Sequence, residues 1–179
     1  GPVLSAQEVM MHDWDIATTV HGPRRVVASP LPESIIDVDV IRTLVQQRAV
    51  VICGGGGGIP VVEHERHYNG IPAVIDKDRL SSLLAVNLGA EALIISTGVP
   101  AVYTNFGQKN QSEHRHLSLK TAKAHLDEGQ FPPGSMGPKI KSMIDAIESL
   151  PTLRSILCQP GDALSAMRGD AGTTLSQDD

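Results

Sequence analysis

Aromatic side chains are nearly missing from this sequence. Its 179 residues hold one Trp, two Tyr and two Phe. A core must therefore be assembled from Val, Ile, Leu and Ala. Positive charge is also short: 15 Lys and Arg face 20 Asp and Glu, a net charge of −5. That balance argues against a nucleic-acid partner, since phosphate backbones are bound mainly through Lys and Arg. There are two cysteines, Cys53 and Cys158. Each closes a predicted strand, and both read as small buried hydrophobes in a reducing cytosol rather than as a disulfide. No apolar run approaches the length of a membrane span, and no signal peptide is evident. Together these point to a cytoplasmic protein of one domain.

What is present alternates. After an irregular lead-in over residues 1–24, with a short helix around Ala6–Met11, "RRVVASP" reads as a strand stopped by prolines. "DVDVIRTLVQQRA" has helical spacing, with Asp37 or Asp39 as N-cap. "AVVIC" is a continuous apolar run of the kind found in a central parallel strand. Two runs around Asn69-Gly70 predict a hairpin with that pair in the turn. "DKDRLSSLLAVNLGA" is a helix that ends at Gly89, and "EALIISTG" a buried strand. "SLKTAKAHLDEG" and "GSMGPKIKSMIDAIESL" are helices. "RSILC" is a core strand, "GDALSAMRG" a short helix, "GTTL" an edge strand, and residues 175–179 a frayed tail. Such alternation predicts an α/β fold with a mostly parallel sheet.

Five consecutive glycines, Gly54, Gly55, Gly56, Gly57 and Gly58, follow "AVVIC". Glycine loses more backbone freedom on folding than any other residue, so five in a row need a reason. A glycine loop after a strand of an α/β sheet lies where such sheets bind ligands, and its bare amides can cradle an anion. No Gly-Lys-Ser/Thr follows, so this is not a P-loop. Fixed positive charge is supplied by Lys77 in "IDKD" and Lys139 in "GSMGPK", each at a predicted helix start. Helix starts favour acids, so a lysine there is best explained by a polyanion that joins it. Asp76 reads as an N-cap, and Asp78 is placed to hold and orient both lysines.

"RRVVASP", "GGGGIPVV", "AVIDKD", "VYTNFG", "GQFPPGSMGPK" and "GDAGT" resemble, in order and spacing, the carbamate kinases of the amino acid kinase superfamily. The resemblance runs from Pro2 to about Leu175. It implies a three-layer αβα sandwich, usually as a homodimer. It also implies reversible Mg²⁺-dependent phosphoryl transfer, in which carbamoyl phosphate and ADP give carbamate and ATP. Lys77 and Lys139 would contact the transferring group and the nucleotide phosphates, with Asp78 between them. Thr97, Gly98, Val99 and Tyr103, with Ser135 and Met136, would frame the nucleotide. The Gly54–Gly58 loop would face carbamoyl phosphate. Mg²⁺ would be held by phosphates and water, with no metal ligand from the protein.

Two departures stand out. Pro100 stands where the family usually has Asp, which removes an amide and a carboxylate from the nucleotide loop. More than a third of the family chain, its N-terminal portion with a substrate-side lysine, has no counterpart here. Gly1-Pro2 therefore looks like family sequence cut in the middle rather than a tag scar. Weak activity alone, exposed apolar surface and association with a complementing N-terminal chain are the expected consequences. The remaining features have plain readings. His64 and His67, and likewise His114 and His116, read as solvated loop residues. Trp14, Met10 and Met11 read as packing residues.

Overall fold

The computed structural model describes residues 1–178. In chain order the helices and strands are α1 (Ala6–Met11), β1 (Ile16–Thr19), β2 (Gly22–Arg25), α2 (Val38–Gln46), β3 (Val61–His64), β4 (His67–Gly70), α3 (Lys77–Leu88) and β5 (Ala92–Ser96). Then follow β6 (Val102–Thr104), β7 (Ser112–His114), β8 (His116–Ser118), α4 (Leu119–Asp127), α5 (Met136–Ser149), β9 (Arg154–Cys158), α6 (Ala163–Arg168) and β10 (Thr173–Ser176).

The organising sheet has the order β5-β9-β10-β8. β5 runs parallel to β9 and β8 parallel to β10, while β9 and β10 are antiparallel. Alternation along the strands sorts the two faces. Leu93, Ile95, Leu157 and Leu175 join Ile140, Met143, Ile144 and Ile147 of α5, spaced at i, i+3, i+4 and i+7. Ile156 and Cys158 point to the other face and meet Ala166 of α6. The result is an αβα sandwich, with α3, α4 and α5 in one layer, the sheet in the middle and α6 behind it. Among the described residues no helix is long and apolar enough to cross a membrane.

Local signals set the helix ends. In α1, Ser5 and Glu8 form a reciprocal capping box, which draws the Glu8 carboxyl below its usual range. Asp76 caps α3 by accepting from the amides of Asp78 and Arg79, and Gly89 closes it in the left-handed conformation. Ser118 caps α4.

Several sequence expectations are corrected. "AVVIC" forms no strand: Val50 and Ile52 are 96% and 97% exposed, and Cys53 is exposed as well. A strand needs a neighbour for its backbone groups, and no described strand lies beside this run. The β3–β4 hairpin turns at Glu65 and Arg66, both at positive φ, while Asn69 and Gly70 lie inside β4. That is the primed-turn conformation, reached without glycine. "GTTL" belongs to β10, which sits inside the sheet, not at its edge. Leu175 is fully buried there, so order runs into the stretch read as a frayed tail, of which Asp179 lies outside the described residues. The helix expected around Ala6–Met11 is α1, and the rest of the lead-in read as irregular contains the β1–β2 hairpin. Met10 and Met11 are exposed rather than packed. Trp14 is covered by His12 on one side and carries the Arg25 guanidinium 4.7 Å from its ring centre.

Candidate functional site

The N-terminal ends of α3 and α5 meet, and the two helices are tied lower down where Ser82 Oγ donates to the Ser142 carbonyl at 2.9 Å. At the meeting point Lys139 Nζ donates to Asp78 Oδ2 at 2.8 Å, with both side chains nearly buried. Lys77 Nζ approaches the same oxygen at 3.9 Å from a more exposed position. One carboxylate thus holds two ammonium groups at two helix N-termini, a concentration of positive potential suited to a polyanion. Removing an ion from such a buried pair leaves its partner uncompensated.

The glycine loop lies against this point. A Cβ on Gly57 would come 1.9 Å from the Ile75 carbonyl oxygen, and within 3.6 Å of the Lys77 amide nitrogen. Only hydrogen at that position lets the loop pass so close to the start of α3. Gly54 and Gly58 border Leu80 of α3. The amides of Gly57 and Gly58 both donate to the Gly54 carbonyl, so the loop is a closed turn. Among the described residues, the amides of Gly54, Gly55 and Gly56 have no backbone acceptor. These three are the amides available to an anion.

Thr97 and Gly98 continue from β5. The Thr97 amide donates to the Cys158 carbonyl at 2.9 Å, and Gly98 O accepts from Gln159 Nε2 at 3.3 Å. They therefore sit outside the carboxyl ends of the parallel pair β5 and β9, the usual ligand-binding edge. Beyond them opens a largely apolar cleft lined by Val99, Tyr103, Phe106, Phe131, Pro132, Ser135 and Met136. Ser135 and Met136 begin α5, one turn before Lys139. Of the residues expected to frame a nucleotide, Val99, Tyr103, Ser135 and Met136 line this cleft, whereas Thr97 and Gly98 do not. Pro100 is exposed beside it and ahead of the fully buried Ala101 and Val102.

Phe131 and Pro132 escaped the sequence reading. A signal was available: three of the five aromatic residues of a chain poor in them line this one cleft. Gly137 explains part of the wall, because its amide donates to Pro132 O at 2.9 Å and a Cβ there would crowd the same oxygen. Tyr103 is anchored by its hydroxyl, which donates to Glu113 at 2.9 Å; burial first, then this bond, raise the phenol's pKa. Gln130 Oε1 accepts from the amide of Asn105, a residue held at positive φ, and so fixes the turn between Tyr103 and Phe106.

The histidines divide. His64 and His67 face each other, exposed, at the closed end of the β3–β4 hairpin. His114 is not a solvated loop residue: it ends β7, half-buried, with Nε2 2.9 Å from Thr104 Oγ1 and its ring 5.4 Å from that of His125. Burial, and then the neighbouring His125, push its pKa down. His116 lies in β8, bonded to Ser176 at 2.8 Å. Cys158 is buried, and that burial raises its thiol pKa.

Known proteins share much of this sequence and its fold. The chain is 42% identical to the carbamate kinase of Staphylococcus haemolyticus over 87% of its own length and 50% of that protein's. It is 39% identical to the carbamate kinase of Halobacterium salinarum, over 98% of this chain and 58% of that one. Among solved structures, carbamate kinase from Giardia lamblia bound to AMP-PNP superposes with a TM-score of 0.89 at 32% identity, covering 98% of this chain and 57% of that chain. The chain spans about half the length of the curated relatives it matches. The amino acid kinase family matches residues 4–153. On that match, with its αβα fold, the chain belongs to the amino acid kinase family.

Proposed function

We propose that this chain carries the nucleotide side of a carbamate kinase-type site, where carbamoyl phosphate and ADP are interconverted with carbamate and ATP. The observation that carries the reading is the Lys139–Asp78–Lys77 cluster at two helix starts beside the glycine loop. The Tyr103, Phe131 and Met136 cleft takes the nucleoside. The phosphates extend from Ser135 toward Lys139, and the free glycine amides meet the transferring phosphoryl group.

An oxygen of the ADP β-phosphate attacks phosphorus, the bond from phosphorus to the carbamate oxygen breaks, and carbamate leaves with the electron pair. No protein nucleophile is required. The chain's residues hold the two reactants in line and neutralise charge on the equatorial oxygens. Lys139 and Lys77 supply that neutralisation, and Asp78 keeps both ammonium groups aimed. Mg²⁺ fits here as an ion brought in with the nucleotide, because Asp78 is committed to Lys139 and Asp76 to the cap of α3. When bound, Mg²⁺ would supply neutralisation of phosphate charge, held by the nucleotide rather than by these two carboxylates.

A second reading is favoured by the bare Val50–Ile52 run. In it the chain binds nucleotide but transfers no phosphoryl group until another polypeptide supplies the carbamate wall and covers this run. Either form is compatible with a homodimer. The test is ATP formation from carbamoyl phosphate and MgADP by this chain, with Lys139→Ala as control, alongside nucleotide titration. ATP that depends on Lys139 supports the site as sufficient, with weak turnover expected for the chain alone. Nucleotide binding without ATP supports the second reading. Absence of both overturns the two together.

A further inference from the structure

The aromatic cleft has one lining ring built into the core and one that is not. Phe131 is 4% exposed, belongs to the main core cluster and meets the His125 ring edge-on, 6.4 Å between centres. Phe106 lines the same cleft but is 58% exposed. It stands two residues beyond β6, and its ring meets that of Tyr103 with 5.9 Å between centres and 55° between planes. Asn105 brings it there. With φ at +50, Asn105 is left-handed, so the chain leaves β6 by turning rather than by running on extended. Outside glycine that conformation is uphill, although Asn bears it more easily than most.

An uphill backbone state persists where its surroundings hold it. Here the holder is Gln130. Its Oε1 accepts from the Asn105 amide at 3.0 Å, across 25 residues of sequence. The acceptor must be the side-chain oxygen, since a backbone N–H can only donate. Gln130 is itself fixed. It follows the end of α4, its own amide donates to the His125 carbonyl at 3.0 Å, and Phe131 comes next. The Gln108 amide donates to the Asn105 carbonyl and the Gly107 amide to Gln111 Oε1, but those bonds shape the loop from within. We infer that Gln130 is a positioning residue for the nucleoside, a role that rests on the nucleotide reading of the cleft. It braces the Asn105 turn against the core-built side and so sets where Phe106 stands. It is outside the lysine cluster and is not itself a lining residue, so it acts through Phe106 and on the nucleoside end alone.

Two probes separate the ends of the site: MgADP, and pyrophosphate, which carries phosphates without a nucleoside. Each is titrated calorimetrically into the intact chain and its variants. Gln130→Met keeps the length of the side chain and removes the acceptor, whereas Gln130→Glu keeps one. Gln130→Met is expected to weaken ADP by about fivefold or more, as for one lost hydrogen bond, and to leave pyrophosphate within about twofold. Gln130→Glu should hold ADP within about twofold of the unsubstituted chain. Phe106→Ala removes an exposed ring and should weaken ADP as well. Adding Gln130→Met to it should then cost no more than about a further twofold, because the two act as one unit. A general loosening of the chain would instead weaken both probes and leave the two substitutions additive. The assignment is overturned by unchanged ADP affinity in Gln130→Met, by joint loss of ADP and pyrophosphate, by a Gln130→Glu as weak as Gln130→Met, or by additive losses. Any of these with ADP bound by the unsubstituted chain refutes this role alone, whereas an unsubstituted chain that binds no ADP refutes the nucleotide reading and this role together.

Discussion

The five glycines make a graded experiment, because the structure places different demands on each. A Cβ at Gly57 would sit 1.9 Å from the Ile75 carbonyl, about 1.5 Å short of ordinary contact. The obstacle is backbone and cannot rotate away. Gly57 also has φ +141, a region left almost wholly to glycine. Strain of about 1–3 kcal/mol for the dihedral adds to a similar amount for forced displacement, so Gly57→Ala is expected to cost about 4 kcal/mol. Gly55, at φ +49 with nothing within 4 Å, bears only the left-handed penalty, and Gly55→Ala should cost about 1–2 kcal/mol. Gly56 is open and carries no positive φ, so Gly56→Ala should fall within about 0.5 kcal/mol of the parent. Urea unfolding followed by circular dichroism, with equal slopes, would measure all three. Relief of the Gly57 clash must push the segment carrying Asp76 and Lys77, so nucleotide-phosphate affinity should fall in parallel. A Gly57→Ala cost no larger than that of Gly55→Ala would refute the idea that close approach explains the run.

Other outcomes follow from the same geometry. Lys139→Ala and Lys77→Ala should each lower any turnover by about 10²–10³, and effects below about threefold would remove them from the proposed chemistry. Asp78→Ala strands Lys139 and is expected to cost about 3–5 kcal/mol, with much of it recovered in the double substitution Asp78→Ala, Lys139→Met; equal instability in both would refute the pairing. His114 is held below the ordinary imidazole range, so the unfolded chain takes up the proton first. Stability should therefore be level above about pH 6.5 and decline as pH falls toward the folded pKa, a slope that His114→Asn removes in pH-dependent urea midpoints. Val50→Asp should change stability by less than about 0.5 kcal/mol and reduce self-association in sedimentation, whereas a large loss would mean the run is buried after all.

Much of the helical layer was legible because its signals are local. Asp76 and Gly89 mark both ends of α3, and the spacing of Ile140, Met143, Ile144 and Ile147 marks the buried face of α5. The closeness of Asp78 to Lys77 and Lys139 was legible too, since two helix starts on one edge of a sheet converge. The strands β6, β7 and β8 were not, because three residues are too few for a period to show. "AVVIC" misled because apolarity records what a segment prefers to bury, not whether a neighbouring strand is there to pair with it. The turn at Glu65 and Arg66 was hidden by the adjacent Asn-Gly, a stronger turn signal that the chain spends inside β4. Phe131 and Pro132 were given no role, although scarcity of aromatics made Phe131 informative.

Thr173 joins parts of the molecule that share no ladder. Its hydroxyl accepts from the Val102 amide at 2.8 Å and donates to the His114 carbonyl, so one oxygen of β10 fastens the β6–β7 ribbon to the four-stranded sheet. Tyr103 rides on that ribbon, opposite Phe131 across the aromatic cleft. Mechanically the ribbon is riveted at several points, since Val102 is also fully buried in the core and Gln130 holds the turn at Asn105. Thr173, which does not itself line the aromatic cleft, therefore holds one of its walls in place from beneath.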